Sequence, residues 1–313
     1  DMTTLNLILG DQLNPDHAAL ASVRPDVVHV LMEVREETDY VLHHAQKVIA
    51  IFAAMRALAA RLQALGHRVH YLTLDDPANR QSVPANLDWL IAHHDAVSVQ
   101  YQLPDEYRLD RRLADWAATC AVPVQVLDSD HFYTARDQAG RLFKTRRQWL
   151  MEHFYRSLRV QHQVLLTPEG GPEGGQWNFD HDNRKAWAGQ PPEPPDRRPR
   201  HDHSDLWRMI GVAGVRTFGN PSAQDFRWPV DRDEALTQLD DFVQHVLPHF
   251  GDFQDALSTR GWRLFHSLIS FALNVKLLSP REVVQSVEYA WRAGLVPLAS
   301  AEGYIRQILG WRE

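Results

Sequence analysis

The stretch Gly261–Glu313, with the sequence GWRLFHSLISFALNVKLLSPREVVQSVEYAWRAGLVPLASAEGYIRQILGWRE, decides the fold of the carboxy-terminal part of the chain. Its apolar residues recur at the spacing that is typical of an amphipathic helix. The first stripe comprises Leu264, Leu268, Phe271, Ala272, Val275 and Leu278, and the second comprises Val283, Val284, Val287, Tyr289 and Trp291. Ser279 and Pro280 lie between them, and serine followed by proline at the first helical position is typical of a helix start. We therefore predict two helices joined at Ser279, and a third helix from about Leu298 to the last residue.

Two small hydroxyl side chains, Ser267 and Ser270, lie at the start of the first predicted helix, next to His266. The first N–H groups of a helix have no partner within it, and the helix dipole favours negative charge at that end. Hydroxyls in this position can complete a binding site for an anion. Serine is also common at helix starts simply as a cap, so the spacing alone leaves both interpretations open.

The segments HSLIS, LLSP and EGYIRQILGWRE resemble the flavin-binding helical domain of the photolyase/cryptochrome family. The chain is most similar to the bacterial branch that carries an iron–sulfur cluster, whose members repair (6-4) photoproducts or act as light sensors. The resemblance implies that FAD binds here, with Gln307 and Trp311 close to the flavin or to a DNA lesion. The implied FAD contacts are His266, Ser267, Leu268, Ile269, Ser270, Gln307, Trp311 and Arg312. At Lys276 the chain departs from the family, which often has glycine there.

Two segments in the middle of the chain carry the most specific part of the resemblance. Arg146–Arg159, RRQWLMEHFYRSLR, predicts an amphipathic helix, and residues 174–184, GGQWNFDHDNR, follow it. Aromatic stripes of this kind are usually part of a packed core, whereas the two runs together strongly resemble the iron–sulfur branch. Together with LILGDQL at residues 7–13 and the carboxy-terminal segments, the resemblance covers nearly the whole chain.

The first part of the chain alternates between short apolar runs and helical patterns. The predicted strands are 5–9, 26–32, 68–74, 96–102 and 122–127, and the predicted helices are 40–65, 86–94 and 106–120. This alternation is typical of a doubly wound, mainly parallel sheet. We therefore predict an α/β, Rossmann-like domain at 2–135, a connecting segment at 136–231, and an incomplete all-α FAD-binding domain at 232–313.

Sheets of this kind bind ligands outside the carboxyl ends of their strands. Those ends carry neither a G-x-G-x-x-G nor a Walker A sequence, which disfavours a pyrophosphate site. Their carboxylates suit hydrogen bonds to a heterocycle or to ribityl hydroxyls better. The resemblance implies an antenna chromophore, in this branch typically 6,7-dimethyl-8-ribityllumazine. Its expected contacts are Gly10, Asp11, Gln12, Glu33, Glu37 and Tyr40. Each of these residues could instead be a cap, a turn residue or a surface charge.

The composition is that of a globular protein without disulfides or membrane spans. Of the 313 residues 44% are hydrophobic, and no uncharged apolar window of about 18 residues is present. The chain start has no signal peptide pattern and Cys120 is the single cysteine, so we expect a cytoplasmic protein. One cysteine cannot hold an iron–sulfur cluster, which takes about four thiolates. Since the last predicted helix runs to the final residue without a stop signal, we expect a truncated chain, with any cluster beyond Glu313.

The net charge of −7 argues against a general polyanion binder, so DNA contact would require a local basic face. Charge runs are also common as solvated surface. The candidates are Lys144, Arg146, Arg147, Arg156 and Arg159, together with Arg197, Arg198 and Arg200 in the proline- and arginine-rich stretch 188–204. His201 and His203 flank Asp202 in that stretch, but no cysteine or second ordered ligand group accompanies them, so no metal site is expected.

The resemblance predicts a light-dependent DNA repair flavoprotein, in which reduced FAD passes an electron to a flipped pyrimidine lesion, expected to be a (6-4) photoproduct. The sequence shows no nucleophile elbow and no triad, and such a reaction needs none. The expected partner is UV-damaged DNA, the expected state is a monomer, and the truncated chain alone is expected to be inactive. Two alternatives remain open: a cryptochrome-like blue-light sensor, and an α/β chromophore-binding module whose helical part is structural.

Overall fold

The structure is a computed structural model that describes residues 2–135, 137–142 and 150–312, apart from the side chains of Ala139, Gly140 and Trp311. The chain divides into two compact units. Unit 1 comprises Asp1–Ser129, Arg198–Glu234 and Asn274–Leu277, and unit 2 comprises Asp130–Arg197, Ala235–Leu273 and Leu278–Glu313. The segment 136–231, predicted as a connection, is therefore divided between the two units. Among the described residues, none of the helices has both the length and the apolar character that a membrane crossing requires.

The elements are numbered in chain order. The strands are β1 (Thr3–Leu7), β2 (Val27–Met32), β3 (His43–His44), β4 (Arg68–Leu72), β5 (Ala96–Gln102), β6 (Val124–Leu127) and β7 (Thr217–Phe218). The α-helices are α1 (Arg35–Asp39), α2 (Ala45–Ala64), α3 (Val83–His94), α4 (Tyr107–Ala118), α5 (Gln138–Leu142), α6 (Met151–His162), α7 (Ser204–Val212), α8 (Arg232–His245), α9 (Leu247–Phe253), α10 (Ser270–Asn274), α11 (Pro280–Arg292) and α12 (Leu298–Arg306). A π-helical turn, Gln307–Arg312, follows α12.

Unit 1 is organised around a five-stranded parallel sheet with the order β4-β2-β1-β5-β6. The chain passes from β1 to β2 and β4 on one side and then to β5 and β6 on the other, so the order reverses between β1 and β5. β2 is buried at every position and β1 at all but one, as expected for strands inside a parallel α/β sheet. These observations confirm the predicted α/β class.

The predicted strands lie within two residues of the observed ones at each end. The helix predicted over 40–65 begins only at Ala45, because His43 and His44 form β3 and pair with β7. The ring of His44 then caps α2, since its Nδ1 accepts a hydrogen bond from the N–H of Gln46 at 3.0 Å.

Two of the three helices predicted from the stretch 261–313 are confirmed. Ser279 forms a capping box at the start of α11: its hydroxyl accepts from the N–H of Glu282 at 3.2 Å, and the Glu282 carboxylate accepts from the N–H of Ser279 at 2.6 Å. Pro280 occupies the first helical position, where its missing N–H costs nothing. α12 begins at Leu298, and the π-helical turn continues it to Arg312.

The prediction of a continuous helix over 264–278 is wrong. Leu264 and Leu268 have φ angles of 50° and 59°, and only Ser270–Asn274 is helical in this part. The carbonyl oxygen of Leu268 instead accepts from the Gln238 amide at 2.8 Å, and that of His266 accepts from Arg263 Nε at 3.3 Å. Leu264, Ala272, Val275 and Leu278 are buried and Leu268 and Phe271 are half-buried. The apolar spacing therefore indicated burial correctly but did not indicate a helix.

Two further helix boundaries have local causes. Residues 232–253 form two helices, α8 and α9, which are divided at Val246 because Pro248 has no N–H to donate one turn back. The helix predicted over Arg146–Arg159 is observed as α6, which begins at Met151. Its predicted first residues, 146–149, lie outside the described residues.

A buried histidine interrupts the apolar run of β2. His29 is 2% exposed, and its Nδ1 lies 2.9 Å from the Asn6 amide nitrogen on β1. Its ring contacts that of His67 edge-on, with the centroids 5.1 Å apart. Burial, and secondly the neighbouring His67, lower the pKa of His29 from 6.5 to about 4. His29 is therefore neutral in the folded protein at pH 7.

We expect the free energy of unfolding to fall as the pH drops from about 6.5 to about 4. The unfolded chain takes up a proton on His29 at the higher pKa, so the stability from the neutral ring is complete above pH 6.5 and is lost toward pH 4. The loss from this one group is about 3 kcal/mol, at about 1.4 kcal/mol per unit of pKa difference. Urea unfolding at a series of pH values, with His29→Gln as a non-titrating control, measures it. Parallel pH profiles for the two proteins would contradict the assignment.

Candidate functional site

The carboxyl edge of the parallel sheet is the first candidate site. Residues 8–13 follow β1, residues 33–40 follow β2, and residues 103–106 follow β5. Because β1 lies between β2 and β5, these three segments are neighbours at one edge. The strand order reverses between β1 and β5, and sheets of this class form their ligand crevice at such a reversal.

A planar cation and an aromatic ring lie at this edge. Arg108 donates to both carboxylate oxygens of Glu37, at 3.0 and 3.2 Å, and to Glu106 at 3.0 Å. Its guanidinium carbon lies 4.1 Å from the centroid of the Tyr40 ring, a cation–π distance. The side chains of Arg108 and Glu37 are about one-third exposed, so the cluster is ordered and still accessible.

The protonation states at this edge follow from partial burial. Burial raises the pKa of the Glu37 carboxyl, although the hydrogen bonds from Arg108 oppose the shift. Burial, followed by the charges of Glu106 and Glu37, raises the pKa of the Tyr40 hydroxyl. The edge offers a phenol, the oxygens of Glu37 and Glu106, and a flat guanidinium. Such a set can stack on a planar heterocycle and bind hydroxyl groups attached to it.

Lys276 connects the segments that follow β1 and β5. Its Nζ donates to the carbonyl oxygen of Asp11 at 2.7 Å and pairs with the Asp105 carboxylate. Burial raises the pKa of the Asp11 carboxyl, and the charge of Lys276 opposes that shift. Lys276 itself has a φ of 67°, a conformation that glycine adopts without steric cost. Lys276 thus keeps a backbone suited to glycine, and its buried side chain forms an ion pair with the half-buried Asp105.

Two predicted antenna contacts face the interior of unit 1. Glu33 is fully buried, and its carboxylate accepts two hydrogen bonds from Arg56 at 2.8 and 2.9 Å, one from Tyr71 at 2.5 Å and one from the N–H of Leu74 at 2.9 Å. Gln12 is 3% exposed; its amide bonds the backbone of Leu9 and Gln102. The structure thus gives Glu33 and Gln12 partners within the protein, and leaves Asp11, Glu37 and Tyr40 at the edge.

Gly10, the remaining predicted antenna contact, lies against α2. A Cβ atom at this position would lie 2.9 Å from Cγ2 of Ile51 and 3.2 Å from the sulfur of Met55. The absence of a side chain therefore allows the segment after β1 to pass close to α2. Sequence reasoning did not assign four residues to this edge: Asp105, Glu106, Arg108 and Lys276. The first three follow β5, and only the strand order shows that this segment borders the one after β1. The contacts of Lys276 with both segments likewise appear only in the tertiary structure.

The loop 263–270 of unit 2 is the second candidate site, and it brings together most of the predicted FAD contacts. His266 and Ser270 are exposed, Ser267 and Leu268 are half-buried, and Ile269 is buried. Arg312 donates to the carbonyl oxygen of Ser270 at 3.0 Å, which joins the carboxy-terminal turn to this loop. Since α10 begins at Ser270, the residues 266–269 precede the helix and are not its first turn.

Tyr304 is a buried residue that contacts this loop. It is 5% exposed, and its ring centroid lies 4.6 Å from that of Phe242 and 5.2 Å from that of Phe250. Burial raises the pKa of the Tyr304 hydroxyl, while its hydrogen bond with Ser267 and the charge of Arg312 oppose the shift. Sequence reasoning missed Tyr304, because its contacts with Ser267, Phe242 and Phe250 arise only in the tertiary structure.

The last predicted FAD contacts lie in the π-helical turn. Gln307 begins the turn and is exposed. The backbone of Trp311 belongs to the same turn, and its side chain lies outside the described residues. The structure thus places Arg312 against the loop 263–270 directly, and Gln307 at the start of the same turn.

The predicted DNA contacts differ in their placement. Arg159 is 1% exposed and donates to the carbonyl oxygens of Val164, Leu165 and Trp177 at 3.1, 2.7 and 2.8 Å, so it serves the interior of unit 2. Arg156 is on the surface, and its side chain is 43% exposed and paired with Glu152. Lys144, Arg146 and Arg147 lie outside the described residues.

The histidines of the stretch 188–204 have partners within unit 1. Nε2 of His201 lies 2.8 Å from the carboxylate of Glu234, and the rings of His201 and His203 stack with their centroids 5.4 Å apart. Asp202 instead accepts from the N–H of Ser204 at 2.9 Å. The Glu234 carboxylate thus contacts the ring of His201, and Asp202 bonds the first residue of α7.

The chain matches a known protein family over most of its length. Residues 6–228 match the family model described as deoxyribodipyrimidine photo-lyase-related protein. A protein of Agrobacterium fabrum (strain C58 / ATCC 33970) named (6-4) photolyase is 34% identical over 319 residues, which covers 100% of this chain and 62% of the relative. The chain therefore spans about 62% of the length of this curated relative.

A solved structure shows the same fold. The crystal structure of a bacterial class III photolyase from Agrobacterium tumefaciens superposes with a TM-score of 0.58. The match covers 99% of this chain and 57% of that chain, with 16% sequence identity. At this identity the likeness establishes the arrangement of elements alone.

Proposed function

Because the chain belongs to the family of deoxyribodipyrimidine photo-lyase-related proteins, we propose that the whole protein is a light-dependent flavoprotein that repairs UV lesions in DNA. The relative named (6-4) photolyase supports the (6-4) photoproduct as the lesion. The observation that carries the proposal is the loop 263–270, where Arg312 and Tyr304 meet the segment His266–Ser270.

The residues of this loop fit the polar chain of FAD. Ser267 and Ser270 offer hydroxyls, His266 an exposed imidazole and Arg312 a guanidinium, which together suit a ribityl and diphosphate chain. Tyr304 bonds the Ser267 side chain, and Arg312 bonds the backbone at Ser270, so both ends of this segment have partners before any ligand arrives. Bound and reduced FAD supplies the light-driven electron for repair; these residues bind and orient it.

The carboxyl edge of unit 1 fits an antenna chromophore, for which we propose 6,7-dimethyl-8-ribityllumazine. The Arg108 guanidinium and the Tyr40 ring form a flat surface for a heterocycle, and Glu37 and Glu106 accept hydrogen bonds from ribityl hydroxyls. Carboxylates would repel a phosphate, and this lumazine carries none. Asp11, held beside Lys276, completes the edge.

The proposed partner is UV-damaged DNA, in which a lesion flips out of the duplex at low cost because its pairing is already impaired. Arg156 is the described candidate for a phosphate contact, since its side chain is on the surface. With a net charge of −7, binding should depend on such local contacts and weaken strongly with salt.

The test uses the whole protein, purified with its flavin and irradiated with blue light together with oligonucleotides that carry a (6-4) photoproduct or a cyclobutane dimer. We expect repair of the (6-4) substrate. Bound flavin without repair of either substrate would overturn the enzyme assignment in favour of a blue-light sensor. Lumazine absorption without flavin would favour a chromophore-binding module.

The proposed FAD contact of Arg312 is tested by Arg312→Ala in the same protein. A hydrogen bond to a charged group contributes about 1.5–3 kcal/mol, so FAD should bind at least about tenfold more weakly. Arg208→Ala is the matched control, since Arg208 is 72% exposed on α7 and pairs only with Asp205 among the described contacts. Equal flavin occupancy in both variants would remove Arg312 from the FAD site.

A further inference from the structure

Three histidines from two elements of unit 1 meet on its surface. His70 lies on β4, an edge strand, and His93 and His94 lie in the last turn of α3. One nitrogen of each ring lies within 4.8 Å of the others, and His70 Nδ1 lies 2.8 Å from His94 Nε2. His70 and His94 are half-buried and His93 is exposed. From this arrangement we propose that His70, His93 and His94 bind one divalent transition-metal ion of the kind that prefers imidazole, such as Zn²⁺.

The spacing of the nitrogens suits such an ion. Zn²⁺ binds histidine nitrogen at about 2.0–2.1 Å in a tetrahedral arrangement, so two ligand nitrogens on one ion lie about 3.3 Å apart. To bind one ion, the nitrogens of His70 and His94 would have to separate from 2.8 Å to about 3.3 Å. The ligand nitrogen of His93, now within 4.8 Å of both, would have to reach the same distance. Three imidazole ligands leave one of the four positions on the ion open. Because His93 is exposed, water can reach that position.

Neighbouring groups fix the orientation of two of the rings and favour a positive charge beside them. Trp89 stacks on His93, with centroids 4.7 Å apart and planes 17° apart, and meets His70 edge-on. Asp95 ends α3 in the left-handed conformation, with a φ of 50°, so His93 and His94 lie at the helix carboxyl end. The dipole makes that end partly negative, which favours a cation.

The hydrogen bond between His70 Nδ1 and His94 Nε2 places a proton on one of these two nitrogens. Metal ions bind imidazole through a nitrogen that carries no proton. For both nitrogens to bind the ion, the donating ring must therefore adopt its other tautomer, with the proton on its second nitrogen.

The experiment is a calorimetric titration of the tag-free chain, freed of metal by chelator, with ZnCl₂ at pH 7.5. We expect one saturable site per chain, weakened at least tenfold by His93→Ala and by His70→Ala. Because His93 is exposed, its replacement should leave the melting temperature unchanged, so lost binding cannot be attributed to unfolding. His245→Ala, which removes another exposed helical histidine at the end of α8, should leave the affinity unchanged.

X-ray absorption at the zinc edge should count three imidazole nitrogens in the native chain and two in His93→Ala. Saturable binding that is insensitive to His93→Ala, an equal loss in His245→Ala, or no saturable binding would each overturn the proposal. The last result would leave the cluster as a hydrogen-bonded and stacked histidine group. None of these readouts depends on light, flavin or DNA, so they are independent of the proposed repair activity.

Discussion

Replacing Arg159 by alanine should lower the free energy of unfolding by about 3–5 kcal/mol. The guanidinium is 1% exposed and donates to three backbone carbonyl oxygens and to the hydroxyl of Tyr155 at 3.3 Å. Its removal leaves those acceptors buried without a donor, at about 1–3 kcal/mol each before relaxation. Chemical unfolding of the native and variant chains measures the difference.

Arg156→Ala is the matched control on the same helix, one turn earlier. Arg156 is 43% exposed and forms an i,i+4 pair with Glu152, a contact that contributes about 0.5 kcal/mol or less. Its replacement should leave stability nearly unchanged and weaken DNA binding by the whole protein, with a smaller salt dependence. Similar stabilities for the Arg159 and Arg156 variants would contradict the buried role of Arg159.

Glu33→Ala should lower the free energy of unfolding by a comparable amount, about 3–5 kcal/mol. The carboxylate is fully buried and accepts from Arg56, Tyr71 and the N–H of Leu74. Removing the carboxylate leaves the Tyr71 hydroxyl and the N–H of Leu74 without an acceptor and the 37%-exposed Arg56 without its ion-pair partner. Thermal and urea unfolding of the variant chain measures it.

Glu37→Gln separates this structural role from ligand binding. Glu37 should contribute less to stability than Glu33, because its side chain is 31% exposed and its partner Arg108 also pairs with Glu106. We expect a change in stability below about 1 kcal/mol and weaker binding of 6,7-dimethyl-8-ribityllumazine. If Glu33→Gln, which keeps the shape of the side chain, weakens lumazine binding as much at unchanged stability, then Glu33 is a ligand contact.

The local parts of the fold could be predicted because their causes are local. The apolar runs of β1, β2 and β5 and the intervening helical patterns lie in consecutive residues, and so does the capping box of Ser279 and Glu282. The helix expected over 264–278 fails for the opposite reason. There Gln238 and Arg263 bond the backbone of the loop, and Gln238 lies on a helix far away in the sequence.

Which charged side chains are interior could not be predicted either. Glu33 and Glu37 lie in one acidic run and Arg156 and Arg159 on one helix, yet one member of each pair is buried and the other is at the surface. A sequence shows the charge of a side chain but not the partners that compensate its burial. Those partners come from α2 and β4 for Glu33, and from the segment that follows α6 for Arg159.

The sequence by itself determined the α/β class, the family, and the segment His266–Ser270 as the one to examine for FAD. Only the tertiary structure decided that Arg312 and Tyr304 meet that segment, that Arg108 lies over Tyr40, and that His70 shares one surface with the pair His93 and His94. The physical reason is that secondary structure follows from spacing within a few residues. A binding site requires side chains from different elements to meet, and that depends on strand order and helix packing.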